Sequence, residues 1–277
     1  MNYINDIVIN IIGNVIFWLA LGLLVYFLGV GKSRRRFLRF FGLQNQKKMV
    51  VYLSNLWLPD LEKEPWGRII SGHEFRAIKT LNNLFSSASS SMPDLVRGLV
   101  DSFWIRDIDL SVEVSPLDDK FSFGNSIIVV GTTIKNSVRR YFLEKNMVCV
   151  RIVGETTEPP DDILINPLDQ SFEVLKGKDR GRIFKEEGTY NLAVIEKLCN
   201  DGEIVIMCTG LHGDSSWAAT EYLNLHWREL ERIFRDKNFA RCLWFRETPP
   251  RMTVYEEPQR TRDIQVWVCH IADLLWV

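Results

Sequence analysis

Glu203-Ile204-Val205-Ile206-Met207-Cys208-Thr209-Gly210 is the stretch on which the fold turns. Its centre is a continuous apolar run without the polar alternation of a half-wet strand, so it reads as a strand covered on both faces. A glycine-rich turn follows, and from Ser215 to Arg235 the apolar positions recur at helical spacing. The same form occurs earlier. Ser126-Ile127-Ile128-Val129-Val130 ends at Gly131 and leads into a helical pattern over Ser137–Lys145. Strand, glycine turn, helix, strand is the signature of a parallel sheet enclosed by helices.

Outward from these two units the pattern continues. Met49–Leu53 is a compact β-rich run, and Phe239–Phe245 repeats the buried-strand form less cleanly. Leu110, Val112 and Val114 alternate with polar neighbours, which predicts a strand with one wet face. The spacing of Phe75, Ile78, Leu81 and Phe85 predicts a helix over His73–Phe85, broken by the serines of 86–91, with a second helix over Met92–Phe103. Met147–Lys185 reads as β-hairpins, with Gly177–Gly181 the turn between Phe172–Leu175 and Arg182–Phe184. Ile264, Val266 and Val268 alternate within Asp263–Val277 as a closing edge strand would. Residues 49–277 therefore read as one Rossmann-like α/β domain: a mainly parallel sheet flanked by helices, with an antiparallel hairpin excursion.

The N-terminus differs in kind. From Ile7 to Val30 no residue is charged and only Asn10 and Asn14 are strongly polar. At 1.5 Å per residue such a run reaches across a hydrocarbon layer of about 30 Å. A signal peptide would carry basic residues before the apolar core, but here Lys32, Arg34, Arg35, Arg36 and Arg39 come after it. The expectation is one transmembrane helix with a short outside tail (1–31), a basic juxtamembrane linker (32–48) and a cytoplasmic domain (49–277). The positive-inside rule sets that orientation in the plasma membrane, N-terminus outside. The basic cluster then meets anionic headgroups, so membrane lipid is one expected partner. Asn10, Gly13 and Asn14 could help such helices associate, and self-association is expected.

The chain has 277 residues, 46% hydrophobic and 25% charged, with a net charge of -1. Seven of the 34 basic residues and one of the 35 acidic ones fall in 1–48, which leaves 27 against 34 beyond it, a net of -7. An acidic domain is poorly suited to nucleic-acid phosphates, so no nucleic-acid partner is expected. Cys149, Cys199, Cys208, Cys242 and Cys269 are scattered without a CxxC pair, as in a reducing compartment, and no metal site is expected.

In open α/β sheets, ligands collect beyond the carboxyl ends of the strands. Three loops fall there. The first is Gly210–Ser216, where Gly210 and Gly213 permit close backbone approach and Asp214, Ser215 or Ser216 can cap the helix. His212 is a residue that a plain capped turn does not require. The second is Gly131–Asn136, offering the hydroxyls of Thr132 and Thr133, the Lys135 ammonium and the Asn136 amide. The third joins Ser54 with His73 and Glu74 at the start of the next helix. Each loop has a plainer reading as a capped helix start, Glu74 merely favouring the helix dipole. His226 and His270 read as structural. GxGxxG, GxxxxGK[ST] and HExxH are all missing.

The combination of Val50-Val51-Tyr52-Leu53-Ser54, Gly72-His73-Glu74 opening a helix, Val129-Val130-Gly131 with Asn136, and Cys208-Thr209-Gly210 leading into Ala218-Ala219 resembles the Rossmannoid nucleotide-handling group. That group includes nucleoside deoxyribosyltransferase-like, SLOG-like and TIR-like domains, and the resemblance covers about residues 49–245. It implies a nucleotide-type ligand and no certain cofactor. Its members either bind nucleotide-derived signals or cleave N-glycosidic bonds, and when fused to a bacterial membrane helix they resemble sensors or effectors of antiviral defence. The first expectation is a membrane-anchored sensor that binds a nucleotide or phosphorylated metabolite. The second is a membrane-tethered N-glycosidase or NADase, with Glu74 and then Asp214 as the carboxylate facing a ribosyl cation. The third is a protein-binding membrane scaffold.

Overall fold

The computed structural model describes residues 12, 14–18, 21–22, 29, 31–46, 48–54, 71–89, 108–114, 125–131, 136–153, 171–186, 190–200, 203–246 and 260–265. The expected span over 7–30 falls largely outside them. Among the described residues no helix is long and apolar enough to cross a membrane. The described positions of that run are helical and exposed.

Helical residues 31–40 form α1, followed by β1 (Lys48–Leu53), α2 (Gly72–Ser89), β2 (Asp109–Val114), β3 (Ser126–Val130) and α3 (Ser137–Glu144). Then come β4 (Val150–Ile152), β5 (Ser171–Val174), β6 (Ile183–Lys185), β7 (Tyr190–Asn200) and β8 (Glu203–Gly210). The last elements are α4 (Gly213–Phe234), β9 (Phe239–Arg246) and β10 (Arg260–Gln265).

Seven strands form one sheet in the order β10-β9-β7-β8-β3-β1-β2, and β4-β5-β6 form a small second sheet. The ladders β2–β1, β1–β3 and β3–β8 are parallel, whereas β8–β7, β7–β9 and β9–β10 are antiparallel. Five of the seven strands thus run the same way. Chain connections leave β1 outward to β2 but leave β3 toward β8, so the winding reverses between β1 and β3.

The two faces of the sheet explain the continuous apolar runs. Val51, Ile128 and Ile206 face one core with Leu81 of α2 and Leu223 and Leu230 of α4. Ile127, Val129, Val205 and Met207 face the other, with Phe142 of α3 and Val150, Phe172 and Phe184 of the small sheet. Both faces are dry, and the strands carry branched apolar residues on both.

Several expectations are corrected here. Phe37, Phe40, Phe41 and Leu43 are buried in the first core, so residues expected to be a linker are part of the packed unit. Phe37 meets Trp227 of α4 at 5.1 Å and Phe85 of α2 at 5.3 Å, both edge-on. Phe75 is exposed, whereas Leu81 and Phe85 are buried, Ile78 packs against the core, and Ala77 and Leu84 complete the core face of α2. α2 also continues through the serines to Ser89. The helix expected over 92–103 lies outside the described residues; of the edge strand expected over 263–277, residues 263–265 belong to β10, which begins at Arg260, and 266–277 lie outside the described residues.

Candidate functional site

The loop after β1 is held by a carboxylate. At the start of α2, Ser71 Oγ accepts from Glu74 N at 3.1 Å while Ser71 N donates to Glu74 Oε2 at 3.1 Å. This reciprocal pair is a capping box, with the serine before the helix and the glutamate three residues on. The other oxygen of Glu74, Oε1, accepts from Ser54 N at 3.0 Å and so ties the carboxyl end of β1 to the helix. With both oxygens engaged and only 6% of the residue exposed, Glu74 is a clamp.

β3 ends against that clamp. Gly131 has φ +112°, and a Cβ there would lie 1.9 Å from Ser54 Oγ and 3.5 Å from Glu74 Oε1. Its N–H donates to Cys208 O at 3.1 Å, which joins the ends of β3 and β8. Asn136 fastens the same corner from α3. Its Oδ1 accepts from Val138 N and Arg139 N at 3.1 and 3.2 Å, and its Nδ2 donates to Val130 O and Tyr52 O at 3.2 and 3.3 Å. One buried amide therefore caps a helix and bridges two strands, an integral role. Thr132, Thr133 and Lys135, expected to line this loop, lie outside the described residues.

β8 runs directly into α4. Gly210 N donates to Ser216 Oγ at 2.9 Å, and a Cβ at Gly210 would lie 2.3 Å from both Ser215 Cβ and Ser216 N. Only a glycine lets the strand end press so closely on the helix start. The N-cap is His212, in an extended conformation and without a side-chain cap bond, so the expected capping by Asp214, Ser215 or Ser216 does not occur. His212 Nε2 instead lies 3.2 Å from Glu186 Oε2. Asp214 turns toward α2, where its Oδ1 lies 2.6 Å from His73 Nδ1. Gly213 leaves room for that imidazole, since a Cβ there would be 3.0 Å from His73 Cδ2.

Ser54, Gly131 and Gly210 thus stand at the carboxyl ends of three adjacent parallel strands, with the N-termini of α2 and α4 over them. This edge includes the β1–β3 reversal, where open α/β sheets take their ligands. Among the described residues at this edge, the His73, Asp214 and His212 side chains are 41%, 52% and 38% accessible. Ser215 is buried, and its Oγ has no hydrogen-bond partner among the described residues. The first-turn N–H groups of α4 carry the positive end of the helix dipole, which favours an anionic group. The Asp214 carboxylate also stands there, with the His73 imidazole beside it.

Sequence reasoning missed the pairing of His73 with Asp214, because no local signal joins two helix starts so far apart in the chain. Among the described residues no cluster of three or more His, Cys, Asp or Glu side chains could hold a metal ion. No family model, curated protein or solved structure matches this chain.

Proposed function

We propose that the chain is a membrane-anchored protein whose cytoplasmic α/β domain binds a nucleotide-type or phosphorylated small molecule at the carboxyl ends of β1, β3 and β8. The observation that supports this reading is the gathering of Ser54, Gly131 and Gly210 beside two helix N-termini where the winding of the sheet reverses. The α4 start would take the anionic group, Ser215 Oγ would give a further hydrogen bond, and His73 with Asp214 would border the ligand. The apolar run 7–30 supplies the anchor, with the basic residues that follow it on the cytoplasmic side. Self-association through that run would carry the signal of a sensor.

The N-glycosidase reading takes second place. It asks for a carboxylate open to a ribosyl cation, and the 6% exposure and double engagement of Glu74 favour Asp214 for that part.

Thermal unfolding of the full chain in detergent, with NAD, nucleoside triphosphates and cyclic oligonucleotides in turn, tests the proposal. One of these classes should raise the midpoint, by the equivalent of about 2.7 kcal/mol at a hundred times its Kd. Ser215→Ala and Asp214→Asn should alter that rise without unfolding the domain. No rise from any class, on a folded chain, overturns the binding reading and favours the protein-binding scaffold. A ligand that returns from the mixture cleaved moves the reading to the enzyme.

A further inference from the structure

α1 has two unlike stripes. Phe37 and Phe40, with Phe41 in the turn just after the helix, are buried against α2 and α4, and Phe40 also lies under the Lys197 ammonium at 4.5 Å. Lys32, Arg35, Arg36 and Arg39 are exposed and follow the helical i, i+3, i+4, i+7 spacing, so they line one side of the helix. No acidic residue lies between Asp6 and Asp60 to neutralise them. Arg36 Nε comes within 3.9 Å of Glu231 Oε2, yet its side chain stays 52% exposed.

We infer that this basic stripe is a binding surface for anionic phospholipid headgroups, held in a fixed orientation by the aromatic stripe of the same helix. Charge gives the first reason. The stripe is strongly cationic on a domain whose net charge is -7, with 27 basic residues against 34 acidic ones in 49–277. A polyanion in free solution meets the repulsive field of the whole domain, whereas a leaflet meets only the face turned to it. Position gives the second. Just before α1, Ile12, Val15, Ile16, Phe17, Trp18 and Leu21 are all exposed, and at 3.6 residues per turn they point to every side of their helix. A helix apolar all round fits hydrocarbon better than a protein groove, and the next turns then lie at headgroup level. Rigidity gives the third. Because Phe37 and Phe41 are locked between Trp227 and Phe85, headgroups bound by the arginines would fix how the α/β unit faces the bilayer.

The inference rests on the membrane-anchor reading, and it can fail while that reading stands. The full chain in detergent micelles is mixed with equal amounts of phosphatidylglycerol and phosphatidylcholine, and retained lipid is counted by native mass spectrometry. The unsubstituted chain should retain phosphatidylglycerol with a preference of roughly tenfold or more, given the attraction of each basic residue to anionic lipid. Arg35→Gln/Arg36→Gln/Arg39→Gln should lose it, and the triple lysine variant should keep it. Equal preference in the glutamine variant, with its unfolding midpoint unchanged, overturns the inference. So does displacement of the bound lipid by a short RNA, which would make the stripe a nucleic-acid surface. Alkaline carbonate extraction of cell membranes reads the anchor by itself: release of the unsubstituted chain overturns that reading and this one with it.

Discussion

Gly131 turns the chain at φ +112°, and Ser54 Oγ lies only 1.9 Å from where its Cβ would be. Two costs fall on any side chain there: a backbone conformation that L residues resist, and displacement of a serine whose N–H is held by buried Glu74. Gly131→Ala should therefore lower stability by roughly 2–5 kcal/mol, with strain and overpacking both contributing. Gly181 has φ +82° but open space around its Cβ position, so Gly181→Ala should cost only about 1–2 kcal/mol of strain. Denaturant midpoints of the two variants check the difference, and equal losses would mean that Ser54 moves aside freely. The sequence marks Gly131 as a turn, because a glycine follows an apolar run. It does not reveal the reason for the glycine, because Ser54 and Glu74 approach it only in the folded chain.

At the scale of elements, α1 is the correction with the largest consequence. Its sequence is dense in arginine, which reads as a solvated linker, but Phe37, Phe40 and Phe41 put one side of the helix in the core. Phe37→Ala should destabilise by about 3–5 kcal/mol through the cavity it leaves, whereas Arg39→Gln should stay within about 0.5 kcal/mol. Similar midpoints for the two would return residues 31–43 to the status of a linker. The parallel half of the sheet was legible because β3 and β8 are dry on both faces and end in glycine. β7 was not. Glu196 and Lys197 sit side by side in it and break the apolar run, yet they point to opposite faces and both are fully buried. Glu196 is paired with Arg139 at 2.8 Å and accepts from Cys149 N and Val150 N, while Lys197 Nζ donates to Arg235 O at 2.9 Å. Such internal pairing is long-range, so a charge pair in a central strand looks like a wet surface until its partners are known.

For the whole molecule, burial fixes how stability responds to alkali. Burial raises the thiols of Cys149, Cys199 and Cys208, the last to about 12. Burial, and then the neighbouring Glu113 carboxylate, pushes the Tyr52 phenol up to about 12. A raised folded-state value means that the folded chain keeps protons the unfolded chain gives up. That stability is complete below the ordinary thiol value of about 8.5 and is lost as pH climbs from there toward 12. Lys197 acts with the opposite sign: burial lowers its value, and the cost of its ammonium fades as pH rises toward the ordinary lysine value of about 10.4. Among the described residues, four groups against one predict a lower unfolding midpoint at pH 10 than at pH 7.5, with the drop reduced in Cys208→Ala. An unchanged midpoint would mean that the buried thiols do not govern the response. The placement of α1 also sets a reach. Its aromatic side chains meet Phe85 and Trp227 toward the far ends of α2 and α4, and Gly42 O accepts from Ser126 Oγ where β3 begins. The candidate site lies at the opposite edge of the sheet. α4 has 22 residues, which at 1.5 Å each measure about 33 Å. On a chain anchored through its N-terminus, the site would therefore open away from the membrane. A ligand of such a site would arrive by search in three dimensions, and a molecule fixed in the same leaflet would need a tether about as long as α4 to enter it.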